Sequence, residues 1–187
     1  MIKQNSKHTN QVRIIGGSCR GRKLLFVSAD GLRPTPDMVR EKLFNWLGQD
    51  LTGSTVLDLF GGSGALGLEA ASRNASEIVL VDNHKQTVQC LKKNAELLGL
   101  EKIKVIHSDG LLFLKGNTKK FNVIFLDPPF QWQNWNQLFL VLKPSVVDGT
   151  WVYVEAGTMP EFPEWLECIK KGKSGKSNFS LLKVVSD

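Results

Sequence analysis

Cysteine is scarce in this chain, and Cys19, Cys90 and Cys168 form an odd, scattered set without the paired spacing of a disulfide framework or a zinc site. That scarcity points to a reduced, cytoplasmic protein with no metal centre. Histidine is equally thin: His8, His84 and His107 lie far apart with no ligand spacing. Long hydrophobic runs are missing too. Stretches such as Ile78 to Val81 fall far short of the ~20 residues a membrane helix needs, and Met1 to His8 lack the apolar centre of a signal peptide. Neither membrane insertion nor export is expected, and a monomer is.

What is present suffices for a core. The chain has 187 residues, 42% hydrophobic and 22% charged, with ten Phe and five Trp, which excludes a disordered polymer and fits one globular unit. Charge is unevenly placed. The formal net charge of +6 divides into +5 over residues 1–53, −3 over 54–168 and +4 over 169–187. Two basic ends around an acidic middle suit a polyanion held at the ends, because Lys and Arg release counterions from phosphates. Arg13, Arg20, Arg22, Arg33 and Arg40 near one end are the main candidates for nucleic-acid contact, assisted by Lys170, Lys171, Lys173 and Lys176 near the other.

Two β-rich runs, Val12 to Gly16 and Lys23 to Val27, read as a short hairpin, and residues 37–47 repeat apolar side chains at helical spacing. From Thr55 a new rhythm begins, with apolar strands over 55–60, 77–82, 103–107, 121–127 and 150–155. Helices at 65–72, 84–98 and 136–142 lie between them. Apolar strands joined by helices imply an α/β fold with a parallel sheet covered on both faces. Residues 165–185 read as a basic hairpin at the sheet edge. The division expected is 1–50 as a basic, nucleic-acid-binding appendage and 51–187 as the catalytic domain.

Gly62-Ser-Gly64-Ala-Leu-Gly67 follows a strand and opens a helix, and Asp82 closes the next strand. That context makes a nucleoside-binding turn: glycines let the backbone turn and approach a ligand, and Asp82 accepts from ribose hydroxyls. A dinucleotide would place its pyrophosphate at this helix start, where Asp58 is unwelcome. A cation suits Asp58 better, and S-adenosylmethionine carries an ammonium and a sulfonium but no phosphate. Asp109, after the third strand, is a candidate acceptor for the adenine amine.

Asp127-Pro128-Pro129-Phe130 ends the fourth strand. Its prolines remove two backbone donors and keep the carbonyls of Asp127 and Pro128 out of the sheet ladder. A carboxylate and a carbonyl converging on one point receive the two hydrogens of a nucleobase amine, and Phe130 offers a face for stacking. The sequence Gly172-Lys-Ser-Gly-Lys-Ser177 imitates a phosphate-binding loop, but Glu167 and Lys170 stand where its leading glycine is required. Ser63 does not lie in a hydrolase elbow, because position 65 is Ala.

Asp58-Leu-Phe-Gly-Gly-Ser-Gly64 together with Asp127-Pro-Pro-Phe130 resembles the class I S-adenosylmethionine-dependent methyltransferases that act on amino nitrogens. Arg13-Ile-Ile-Gly-Gly17, Arg20-Gly-Arg-Lys-Leu24, Gly31-Leu-Arg-Pro-Thr35, Val39-Arg-Glu41 and Phe44-Asn-Trp46 narrow the likeness to the RsmD family of bacterial 16S ribosomal RNA guanine-N2 methyltransferases. The resemblance runs from about Val12 to Tyr153. It implies a Rossmann-like, mostly parallel seven-stranded sheet. Methionine-end contacts would fall around Asp58, Phe60, Gly61, Gly62, Ser63 and Gly64, ribose contact at Asp82 beside Asn83, and adenine contact at Asp109 beside Gly110. The target pocket would lie at Asp127, Pro128, Pro129 and Phe130, with 16S ribosomal RNA of the small subunit as partner. Gly61 departs from the usual Ala of the family. Two alternatives stand beside this reading: an adenine-N6 methyltransferase of DNA, and an NAD-dependent oxidoreductase built on the same glycines.

Overall fold

A computed structural model describes residues 10–27 and 34–186. Arg33, one of the arginines assigned to RNA, lies outside the described residues. The chain opens with β1 (Gln11–Arg13) and β2 (Lys23–Leu25), an antiparallel pair in which Val12 faces Leu24. Helix α1 (Asp37–Trp46) follows Pro36, which suits a helix start because its fixed φ is already helical-compatible and it has no N–H to leave unpaired.

The main sheet is built from β3 (Thr55–Asp58), β4 (Glu77–Asp82), β5 (Ile103–His107), β6 (Phe121–Leu126), β7 (Val146–Ala156), β8 (Leu166–Ser174) and β9 (Ser177–Val184). Their order across the sheet is β5-β4-β3-β6-β7-β9-β8. The first five run parallel, and β9 is antiparallel to both β7 and β8. Helices α2 (Gly67–Ser72), α3 (Lys85–Leu98), α4 (Gly110–Gly116) and α5 (Trp135–Leu142) make the crossovers.

Period-two alternation along the strands fills two cores. Val56, Ile78, Leu80, Val123, Phe125 and Tyr153 pack on one face with α1, α2 and α3. Leu57, Val79, Val81, Ile124, Leu126, Val152 and Val154 pack on the other with α4 and α5. Both faces are covered at the centre, so β3, β4 and β6 are mainly apolar, whereas the edge strands β5 and β8 carry exposed polar residues. Val12, Leu24, Leu43 and Phe44 belong to the first of these cores, so the N-terminal segment is packed into the sheet's own interior.

Three elements differ from expectation. Helix α4 had no counterpart, because Gly-Leu-Leu-Phe-Leu-Lys-Gly is too uniformly apolar to show a helical period; what starts it is Asp109, whose Oδ1 accepts from Leu112 N–H at 3.0 Å. Strand β7 begins earlier, at Val146, and β8 continues to Ser174, so Lys170, Lys171 and Lys173 lie on a strand and the turn reduces to Gly175-Lys176.

Arg40 is a correction. Assigned to RNA from its charge, it is 1% exposed and donates to Glu69 (3.3 Å), Asp37 (2.6 Å) and the carbonyls of Arg13 and Thr35. Glu69 also accepts from Arg73 and from the N–H groups of Ile15 and Gly16. The arginine is consumed in docking the N-terminal segment onto α2, where a buried charge survives by being paired on every side.

Candidate active site

The chain places β3 in the middle, adds β4 and β5 on one side, and then returns to add β6 on the other. Carboxyl ends of β3 and β6 therefore meet where the strand order reverses, the position at which open α/β sheets bind ligands. Asp58 ends β3 and Asp127 follows β6.

Asp58 is buried. Its Oδ2 accepts the Gly67 N–H at 3.0 Å, while Oδ1, equally buried, has no hydrogen-bond partner among the described residues. Burial, reinforced by the charge of Asp82, pushes its carboxyl from 3.8 up to about 7. Gly67 is obligatory here: a Cβ would stand 2.2 Å from Leu80 Cδ2 and 3.0 Å from the Asp58 carboxylate. Gly64 turns the chain at φ +80°, in the left-handed region that favours glycine.

Asp82 accepts from Gly62 N–H (3.0 Å) and His84 N–H (2.9 Å), so it shapes the turn besides standing at its mouth. Asp109 caps α4, and Gly110 lies against Leu59. Each carboxylate keeps acceptor positions beyond these bonds. Asn83 is exposed beside Asp82, its carbonyl 3.0 Å from His107 Nε2. Ser63 is turned inward, accepting from Ala65 N–H. Phe60 meets Trp132 edge to face at 5.3 Å, which ties the glycine turn to the loop after Asp127.

The residues fit S-adenosylmethionine. A buried carboxylate oxygen without a partner among the described residues suits a cation, and the ammonium of that cofactor would supply one; a pyrophosphate would worsen the site. Asp58 and the glycine turn would hold the methionine end, Asp82 the ribose and Asp109 the adenine.

Beside this turn opens a cavity of about 410 Å³ whose walls include Pro128, Phe130, Trp132, Glu155, Gly157 and Met159. Phe130 is 62% exposed, yet its ring lies so close to Gly157 that a Cβ there would come within 2.3 Å of it. Pairing between β6 and β7 ends at Leu126 and Val154, so Asp127, just past β6, stands level with Glu155, which is still paired with Phe179 of β9. The Thr35 hydroxyl lies 3.5 Å from Asp127 Oδ2 and 3.3 Å from Glu155 Oε2, and Tyr153 donates to the same Glu155 oxygen at 2.9 Å. Burial and the neighbouring Glu155 and Asp58 charges raise Asp127 well above the ordinary carboxyl range; burial raises Glu155.

Sequence reasoning missed Thr35, Trp132, Tyr153, Glu155 and Gly157. One signal was available: Glu155 ends an apolar strand in an acid, as Asp58 and Asp82 do.

The family model described as conserved hypothetical protein 95 matches residues 12–183. The chain belongs to this family, the RsmD family. The Escherichia coli (strain K12) protein named ribosomal RNA small subunit methyltransferase D is 40% identical over 158 residues, covering 83% of this chain and 80% of that protein. The solved structure of Escherichia coli yhhF matches with a TM-score of 0.86 at 36% identity, over 95% of this chain and 100% of that one. An RNA methyltransferase from Salinibacter ruber, solved with S-adenosyl-L-homocysteine, shares the fold at 17% identity and a TM-score of 0.67, over 83% of this chain and 95% of its own. The fold is that of the class I methyltransferases.

The basic residues divide by position. Arg20 is exposed, Arg22 donates to the Leu97 carbonyl at 2.7 Å, and Cys19 N–H donates to Ser72 Oγ. Helices α2 and α3 start beside the glycine turn and run away from it, so this loop sits at the opposite end of the sheet from Asp127. Arg13 is exposed and paired with Asp37 at 3.2 Å. The β8–β9 turn lies at the site's own end: Ser174 pairs with Ser177, and Ala156 with Asn178. Lys170, Lys171, Lys173 and Lys176 are all exposed there or along β8.

Proposed function

We propose that this protein methylates the exocyclic N2 amine of a guanine in 16S ribosomal RNA of the small subunit, with S-adenosylmethionine as donor. Asp127, beside the cavity-lining Glu155 and directly before Pro128 and Phe130 of the cavity wall, is the observation that carries the reading. The name of the 40% identical Escherichia coli relative supports the ribosomal RNA substrate. A ribosomal substrate places the reaction in the cytoplasm.

A nucleobase amine is a poor nucleophile because its lone pair is delocalised into the ring. Asp127 accepts one amine hydrogen and the Pro128 carbonyl the other, which localises the lone pair and aims it. Phe130, backed by Gly157, stacks on the base and fixes its plane. S-adenosylmethionine, held by Asp58, the glycine turn, Asp82 and Asp109, would supply an electrophilic methyl carbon with its thioether as leaving group, and as the amine nitrogen takes the methyl one amine proton would be released to the Asp127 side. Positioning supplies most of the rate, on the order of 7–11 kcal/mol for well-oriented reactants. A base inside a duplex cannot reach Asp127, so the guanine is splayed from a loop or extruded.

Residues 51–187 supply this chemistry, the described part of residues 1–50 packs on one face of the sheet, and the lysines of β8 and its turn hold phosphates beside the cavity. The protein acts as a monomer. Mass mapping of 16S RNA nucleosides from a strain lacking the protein, before and after treatment with purified protein, tests the reading. Loss and restoration of N2-methylguanine at one position is expected; any other product, or none, refutes it.

A further inference from the structure

Glu155 is buried at the end of β7, lines the cavity and stands next to Asp127, yet the amine-holding step does not use it. We infer that Glu155 is a specificity-determining residue that accepts a hydrogen bond from the N1–H of the target guanine while Asp127 holds the N2 amine; this rests on the guanine reading above.

Placement comes first. Leu126 and Val154 are partners in the parallel β6–β7 pair, so the residues that follow them emerge side by side on one face of the sheet. The Thr35 hydroxyl reaches both carboxyl groups, and with one proton it donates to only one at a time. Two acids sharing a buried hydroxyl repel each other and are desolvated, an arrangement folding does not favour by itself.

Satisfaction comes second. A carboxylate offers about four lone-pair positions. Tyr153 and Thr35 occupy Oε2, and Ser177 is a further hydrogen-bond donor to Glu155. One acceptor position is left on a side chain that forms part of the cavity wall. Tyr153 and Ser177 hold the carboxyl in place for whatever enters.

The chemistry of the bases then discriminates. Guanine presents two adjacent donors, N1–H and the N2 amine. Adenine places an acceptor, N1, beside its N6 amine, and cytosine places N3 beside its N4 amine. Two neighbouring carboxyl acceptors complement guanine and leave the other amine-bearing bases with acceptor facing acceptor. A site whose buried polar groups lose their partners rejects the wrong substrate strongly.

2-Aminopurine is the probe, because it keeps the reacting amine at C2 but carries a bare lone pair at N1. Small subunits are assembled on 16S RNA bearing guanine or 2-aminopurine at the position that mass mapping identifies, and kcat/KM is measured on each. The wild-type protein should prefer guanine by about 100-fold or more. In Glu155→Gln, whose amide can donate as well as accept, that preference should shrink at least ~10-fold. A purely structural Glu155 would lower both rates together, and an unchanged ratio overturns the inference. If Glu155→Gln does not fold, Tyr153→Phe, which releases one holder of the carboxyl, should narrow the preference by about threefold; no narrowing again overturns it. Wild-type protein that leaves guanine N2 unmodified on ordinary subunits defeats the parent reading instead, a result visible before any probe is used.

Discussion

Asn178 Nδ2 donates to the carbonyl of Gly157 at 2.8 Å, joining the lysine-bearing β8–β9 turn to the backbone that supports the Phe130 ring. The basic C-terminal hairpin is thereby tied to a residue of the cavity wall. The N-terminal loop with Arg20 and Arg22 is packed at the far ends of α2 and α3.

This geometry reverses the ranking that charge alone suggests. Replacing Lys173 and Lys176 together by Gln should raise KM for small subunits and lower the salt dependence of binding by about two phosphate contacts, with cofactor affinity intact. The pair Arg20→Gln and Arg22→Gln should change KM much less. Filter binding across a salt series compares the two; equal slopes in both double variants would contradict the placement.

Asp127→Ala and Phe130→Ala should lose methyl transfer far more than cofactor affinity, since the proposed function sets them against the acceptor base. Gly157→Ala should behave likewise, because its new methyl displaces the Phe130 ring; a loss of about tenfold corresponds to ~1.4 kcal/mol of transition-state binding. Single-turnover rates beside calorimetric cofactor titrations separate the two effects. Parallel losses in both would assign this loop to the cofactor instead.

Asp58 should trade stability for binding. Its folded-state pKa of about 7 lies above the ordinary 3.8. The fold therefore favours the neutral acid: that stabilisation is complete below about pH 4 and is lost as pH rises through 7. Asp58→Asn, never charged, should make the cofactor-free protein more stable at pH 8 by on the order of 1–3 kcal/mol and little different at pH 4. The same variant should weaken S-adenosylmethionine binding at least ~10-fold at pH 8, by removing a charged partner. Melting temperatures at both pH values, with calorimetry, provide the check; a variant less stable than its parent at pH 8 would count against it.

Arg40→Ala should unfold the protein more readily without touching RNA. It leaves Glu69 buried with less compensation, a change worth about 3–5 kcal/mol. The melting temperature should fall by on the order of 10 °C. Folded Arg40→Ala at low temperature should bind small subunits like the parent; a selective loss of RNA affinity with normal melting would restore the surface role.

Much of this was legible in one dimension. The strand over 77–82 appears at its expected bounds because burial on both faces leaves a continuous apolar run, and the edge strand over 103–107 does so through Ile103, Val105 and Ile106 set against exposed Lys104 and His107. The glycine turn, Asp58, Asp82 and Asp127-Pro-Pro-Phe130 were readable for a related reason. Tight turns and proline-terminated strands demand particular residue types at fixed local spacing, and local spacing is what a sequence displays. Only the tertiary structure decided the rest. Whether Arg40 met RNA or Glu69 depended on a partner 29 positions away. Thr35, Tyr153 and Glu155 became neighbours of Asp127 through the β6–β7 register and a contact spanning 92 residues. The lysines came to the site, and Arg20 and Arg22 left it, through the direction in which a strand or helix runs. Charge and polarity are properties of single residues, but burial and adjacency belong to pairs brought together by packing.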